Sequence, residues 1–296
     1  MQIRKPSDVV FRGLAFSEKF TTLCKAIANT SDIARLVRNL GFKTLLLAIT
    51  LLNSSATDVP ADYKVDVVVI DPGHGGRDPG TNGKYAKEKD VALKISLKLG
   101  AYIKKNFPEV KVIYTRKDDR YIALDERADI ANKAKADLFI CIHANAIVNA
   151  NAWGTETYVM GLHKEEGNME VATRENAVIT LDENYHERYE GFDPHSPESY
   201  ILFSLAQSAY QQSSLLLAQK IEEQFKTRAG RYSRGVKQAG FWVLWRTAMP
   251  SVLIETGFLS NSKEEAFLSS TNGQDLIASG IYRAFKEYKS QIESIN

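Results

Sequence analysis

The 296-residue chain predicts an α/β fold, a single domain with a mostly parallel sheet flanked by helices. Three observations carry this. Apolar, β-branched runs recur at 65–70, 110–115, 138–143, 154–159 and 251–255. Segments with helical apolar spacing lie between most of them, and such alternation favours parallel strands joined by crossover helices. The run at 138–143 is apolar at nearly every position, and 251–255 holds an unbroken apolar core at 252–254, as strands covered on both faces do.

Each element follows in order. Val65-Asp-Val-Val-Val-Ile70 runs into Asp71-Pro-Gly73, a strand entering a turn. Val91, Ala92, Ile95, Leu99, Tyr102 and Ile103 recur at helical spacing and predict an amphipathic helix over 89–106. A second strand follows at 110–115, a helix at 124–134, and the third, central strand at 138–143. After the strand at 154–159, the chain predicts a helix at 213–225, a buried strand at 251–255 and a closing helix at 276–288. Residues 160–205 stand apart, with ten acidic residues, three basic residues, three of the five histidines and no clear strand pattern. They read as an insertion without regular structure, and such segments are usually functional or mobile.

Composition narrows the function. Hydrophobic residues at 44% and charged residues at 25% are ordinary for a globular protein and exclude wholesale disorder, collagen repeats and a multi-span membrane protein. The formal charge of +2 gives no sign of a nucleic-acid partner. Two cysteines, Cys24 and Cys141, make neither a disulfide framework nor a cysteine-rich zinc site, so a metal would be held by His and carboxylates. The charge is unevenly spread: residues 1–56 carry +5 and the remainder −3. The boundary follows the apolar run Thr44-Leu-Leu-Leu-Ala-Ile-Thr-Leu-Leu52. A basic flank, a short apolar run and small residues, here Ser54 and Ala56, are the parts of an export signal. The run falls well short of the ~20 residues a membrane-spanning helix needs. The expectation is a leader over 1–56, a catalytic domain over 57–296, and an exported protein of the periplasm or cell envelope. It would meet a membrane only if the leader stays uncleaved.

Four polar features fall at or beside strand ends. His74 lies in Asp71-Pro-Gly-His-Gly-Gly76, Glu88 begins the amphipathic helix, His143 ends the central strand, and Glu255 ends the strand Val252-Leu-Ile-Glu255. Sites of open α/β sheets form outside the carboxyl ends of strands. Two His and one carboxylate suit a catalytic zinc that keeps one position open. A further carboxylate can act as the base. Taken singly, each has a plainer reading: a hydrogen-bonded loop His, a carboxylate favoured by the helix dipole, a capped core His. Glu255 is harder to explain so, since a buried acid needs a partner.

These stretches resemble the zinc-dependent N-acetylmuramoyl-L-alanine amidases of the type 3 amidase family. The likeness rests on Val69-Ile-Asp-Pro-Gly-His-Gly-Gly-Arg-Asp-Pro-Gly80, Glu88-Lys-Asp-Val91, Thr115-Arg116 with Leu124 and Arg127, Ile142-His-Ala-Asn145, and Ile254-Glu-Thr-Gly-Phe-Leu-Ser-Asn261. It covers about 64–290 and implies a twisted, largely parallel sheet. It also implies His74, Glu88 and His143 as zinc ligands and Glu255 as the catalytic glutamate. The reaction it implies is cleavage of the amide joining N-acetylmuramic acid to L-alanine in peptidoglycan. In division-associated members an inserted helix covers the zinc until an activator displaces it. The resemblance therefore implies autoinhibition by 160–205, with Glu175 a candidate for the open metal position and the aromatic-rich Tyr185 to Tyr200 stretch a candidate activator-docking surface. No separate wall-binding repeat is evident, so targeting would fall to partners or to the catalytic domain. Cys141 stands where a small residue such as Ser is usual, either as an extra ligand or as a small filler in a buried strand. Two other readings are a zinc amidohydrolase or peptidase cutting another bond of the wall peptides, and an inactive wall-binding scaffold.

Overall fold

The computed structural model describes residues 64–161, 166–201, 203 and 210–294. The leader expected over 1–56 lies outside the described residues. Six strands form one sheet: β1 (Val67–Pro72), β2 (Lys111–Tyr114), β3 (Leu138–Asn145), β4 (Thr155–Met160), β5 (Ser233–Ala239) and β6 (Ser251–Phe258). Their order is β2-β1-β3-β6-β4-β5. All neighbouring pairs are parallel except β4 with β6, which is antiparallel. The expected mostly parallel α/β sheet is therefore present, with β4 and β5 running opposite to the other four strands.

Side chains alternate across the sheet and separate two cores. One face carries Ile70, Ile140, Ile142 and Ile254. It is covered by α1 (Glu88–Asn106), α5 (Gln211–Thr227) and α8 (Thr271–Ser294), which contribute Ile95, Leu217, Ile221, Ile281 and Phe285 to the same core. α1 starts with Glu88 and Asp90 and ends with Lys104 and Lys105, charges that suit its dipole at both ends. α7 (Ser262–Ser269) is capped by the Asn261 side chain, which accepts from the backbone of Lys263 and Glu264.

The opposite face carries Val69, Phe139, Cys141, Tyr158 and Leu253. It is covered by α2 (Leu124–Lys133), α6 (Trp242–Trp245) and the inserted segment. Contrary to expectation, that segment is largely regular: α3 (Glu166–Asn176), a 3-10 turn at Ala177–Leu181, α4 (Tyr185–Arg188) and a second 3-10 turn at Pro197–Tyr200. Only Val171 and Ala172 of α3 join the buried apolar core, with Met169 packed partly against it, too few to make a strong helical pattern in sequence. Aromatic rings fasten the segment: Phe192 lies 5.1 Å from Trp242 and 5.4 Å from Tyr200, and Tyr189 lies 5.3 Å from Trp242. Asp182 ties it down through Arg77 at 2.6 Å and the Tyr121 hydroxyl at 3.1 Å.

β5 was not expected. It is an edge strand, mostly half-buried, and carries Arg234, Lys237, Gln238 and Gly235, so it lacks the apolar signature of an inner strand. Among the described residues no helix is long and apolar enough to cross a membrane.

Candidate metal centre

The site begins with the turn that leaves β1. His74 has φ 59°, the left-handed region that a non-glycine residue holds only when its surroundings impose it. Two buried arginines do so. Arg127 donates to the carbonyls of Pro72 at 2.8 Å and His74 at 2.7 Å, and Arg116 to those of Pro72 at 3.0 Å and Gly73 at 2.6 Å. Arg127 also pairs with Asp71 at 2.8 Å, in a buried group completed by the Thr115 hydroxyl. Burial would raise the Asp71 carboxyl, but the Arg127 charge holds it below the usual range.

Removing one member of a buried pair strands the other charge. Arg127→Met is therefore expected to cost about 3–5 kcal/mol in a urea unfolding measurement. The sign with pH follows from the depressed pKa: the pair's stabilisation is full above the unfolded carboxylate value and is lost as pH falls through the folded one.

Three side chains then converge. Asp78 accepts from His74 Nδ1 at 2.7 Å, which leaves Nε2 pointing to the centre. Glu88, the first residue of α1, is fully buried. Its Oε2 accepts the Thr81 amide at 2.8 Å, and its Oε1 accepts the Ala144 amide at 2.9 Å. His143 comes from β3, and its Nδ1 lies 2.9 Å from Glu88 Oε1. A Cβ on Gly80 would come within 2.5 Å of the His74 ring and 2.6 Å of Glu88, so this position must be glycine for the two to meet.

The fourth member comes from the insertion. Glu175 Oε2 on α3 lies 3.1 Å from His74 Nε2 and 3.0 Å from His143 Nδ1. One donor atom from each of His74, Glu88, His143 and Glu175 lies within 4.8 Å of every other, and all four residues are buried. Contacts of 2.9–3.2 Å among them approach the ~3.4 Å edge of a tetrahedron whose four donors sit about 2.1 Å from one ion. His74 Nε2 and Glu175 Oε2 are in ion-pair contact but not aligned for a hydrogen bond, and both are buried. Such unmatched donors aimed at a common point fit a metal ion. Burial would lower the pKa of the His74 imidazole, but the Glu88 charge overrides it and raises it well above the usual histidine range.

Glu255 lies on β6 beside His143, its register partner on β3. The β6 ladder is irregular just beyond it, a feature that often accompanies active sites. Glu255 is completely buried, and neither oxygen has a hydrogen-bond partner among the described residues. Its nearest cation is Arg174 on α3, 3.6 Å away. Burial pushes the Glu255 carboxyl well above its ordinary value, and the Glu175 charge adds to this.

The structure thus brings His74, Glu88 and His143 together, sets Glu255 on the adjoining strand, and places Glu175 among them. Cys141 is not in the cluster. Its thiol donates to Asp71 at 3.1 Å, and burial together with the Asp71 charge pushes it up to about 12, so it stays a thiol rather than a thiolate ligand. Three partners had no role assigned from sequence. Asp78 was signalled by its spacing of four from His74 in the same loop, whereas Arg116 and Arg127 carry no local pattern that marks them as holding this turn.

A parallel-rich α/β sheet with buried imidazoles and carboxylates meeting at its strand ends defines a protein class: an α/β fold with a metal-type site suited to hydrolysis. The model for the N-acetylmuramoyl-L-alanine amidase family matches residues 68–287, and the chain belongs to that family. It is 33% identical over 226 residues to N-acetylmuramoyl-L-alanine amidase AmiC of Escherichia coli O6:H1, covering 75% of this chain and 52% of that protein. The same identity over 226 residues relates it to AmiA of Escherichia coli K12, with 75% of each covered. The chain therefore spans about half the length of AmiC but three quarters of AmiA. Among solved structures, the catalytic domain of the amidase CwlV from Bacillus (Paenibacillus) polymyxa aligns with TM-score 0.56 and 31% identity, over 75% of this chain and 97% of that one. The CwlD amidase of Clostridioides difficile, solved in complex with the GerS lipoprotein, aligns with TM-score 0.57 and 27% identity, over 76% and 99%.

Proposed function

We propose that this chain is an exported, zinc-dependent amidase that cleaves the bond between N-acetylmuramic acid and L-alanine in peptidoglycan, and that α3 holds it shut. The observation that carries the reading is the convergence of His74, Glu88 and His143 beside a buried Glu255 that has no hydrogen-bond partner among the described residues. His74, Glu88 and His143 would hold the metal. Two imidazoles and a carboxylate are a zinc donor set of the hydrolytic kind. When bound, zinc lowers the pKa of water toward ~7 and polarises a carbonyl oxygen. Glu255 takes the proton of the attacking water and delivers it to the departing alanine amine. Its burial supports this, because a raised pKa makes the carboxylate basic enough to accept that proton. Asp78 keeps the His74 ring oriented, and Arg116 and Arg127 hold its backbone.

Glu175 takes the position a substrate carbonyl or water would need. Arg174 secures it, with Nε 2.9 Å from Glu175 Oε1 and Nη1 2.9 Å from the Ala146 carbonyl. An activator would have to lift α3. Tyr189, Phe192 and Tyr200 face the body of the protein, so such a partner would meet the outer side of the segment rather than those rings.

The test is metal analysis joined to product identification on purified sacculi. Bound zinc and release of peptides with new L-alanine amino termini are expected, whereas a peptidase would leave those termini blocked. Chelation should abolish release and zinc should restore it. Zinc at a thousandfold over its Kd is expected to raise folding stability by about 4 kcal/mol, read as a shift in Tm. Export predicts a mature chain beginning near residue 57, which N-terminal sequencing of the envelope fraction would read.

A further inference from the structure

β5 carries two cations that the chemistry above does not use. Arg234 Nε lies 2.6 Å from Glu156 Oε1, and Lys237 Nζ lies 2.8 Å from the same oxygen. Residues three apart on a regular strand point to opposite faces. Here they share one because the β4–β5 ladder slips by a residue: Thr155 pairs with Ser233, but Thr157 pairs with Val236. Gly235 in this slip has φ 90°, a conformation that side chains other than glycine's resist. The bulge therefore turns both cations toward Glu156.

Glu156 is buried, and it is the register partner of Glu255 across β4 and β6. The two cations thus sit two strands over from the proposed base, with Glu156 between, on the same face of the sheet. Glu156 is saturated: its other oxygen accepts the Tyr158 hydroxyl at 2.8 Å and the Asn145 amide at 3.3 Å. One carboxylate faces two cations, so the cluster keeps a net positive charge. Arg234 is 32% exposed and Lys237 20% exposed, so both have donors to offer beyond Glu156. α3 packs against β5, so a displaced α3 would uncover this floor together with the metal centre.

We propose that Arg234 and Lys237 form an anion subsite that binds a carboxylate of the substrate's peptide portion, on the side that leaves with the new amino terminus. The proposal rests on the amidase reading of the metal centre. A single cation would neutralise Glu156. The second, brought round by the bulge, supplies the charge that an acidic peptide can use.

The test compares two muramoyl dipeptides in the Glu175→Ala form of the full chain. One bears free carboxylates on the residue after L-alanine, and the other bears carboxamides there. A hydrogen bond to a charged group favours the acid by roughly ten-fold in kcat/KM. Arg234→Gln and Lys237→Gln should each bring that ratio toward one through a higher KM for the acid, and each leaves the other cation on Glu156. Glu156→Gln frees both cations and should raise the ratio. Equal cleavage of both compounds by the Glu175→Ala parent, or a ratio unmoved by either β5 substitution, overturns the subsite alone. A zinc-loaded parent that cleaves neither compound overturns the amidase reading, and the subsite falls with it.

Discussion

Glu255→Gln is expected to lower kcat by about 10²- to 10⁴-fold, the usual worth of a positioned acid–base group, while making the protein more stable. Both effects have one cause. The carboxyl is completely buried at the end of β6 and has no hydrogen-bond partner among the described residues, an arrangement that folding alone does not favour. Glutamine keeps the shape and removes the charge, so the gain should be about 1–2 kcal/mol, the range of single stabilising substitutions. Metal content should be unchanged, because Glu255 is not among the four clustered donors. Kinetics on wall fragments, thermal unfolding and metal analysis of one preparation give all three readings. Activity within a few-fold of the parent would remove Glu255 from the mechanism.

Glu175→Ala should do the reverse and switch the enzyme on. The side chain contacts both imidazoles at 3.0–3.1 Å and is locked by Arg174. One charge-assisted contact of this kind contributes roughly 1.5–3 kcal/mol, so its loss should raise the rate on sacculi about ten- to a hundred-fold. Asp182→Asn offers an independent route. Asp182 accepts from Arg77 and Tyr121, which tie the segment to the body without touching the donor cluster. Activation by both substitutions supports a lid whose carboxylate blocks the centre. Activation by Asp182→Asn alone assigns the block to steric cover, and activation by neither makes α3 a wall of the groove rather than a lid.

Much of this was legible in sequence, and the reason is local. β3 is apolar at every position until His143, and β6 is apolar from Val252 until Glu255, so both could be read as strands that end in a functional side chain. The Gly-rich turn around His74 and the apolar spacing of α1 behind Glu88 were legible for the same reason. β5 was not, because an edge strand is half-buried and its composition follows its contacts rather than a periodic core face. Nor was α3, whose few apolar residues meet a core built by α6 and β4.

The sequence by itself determined the inner strands, the long amphipathic helices and which polar residues stand at their ends, since those properties follow from periodicity within a dozen residues. The tertiary structure decided what pairing across long separations decides. It reversed β4 against β6, it slipped β5 to turn Arg234 and Lys237 to one side, and it carried Glu175 from α3 to within 3.1 Å of His74. Those outcomes depend on packing between elements far apart in the chain, which no local pattern encodes.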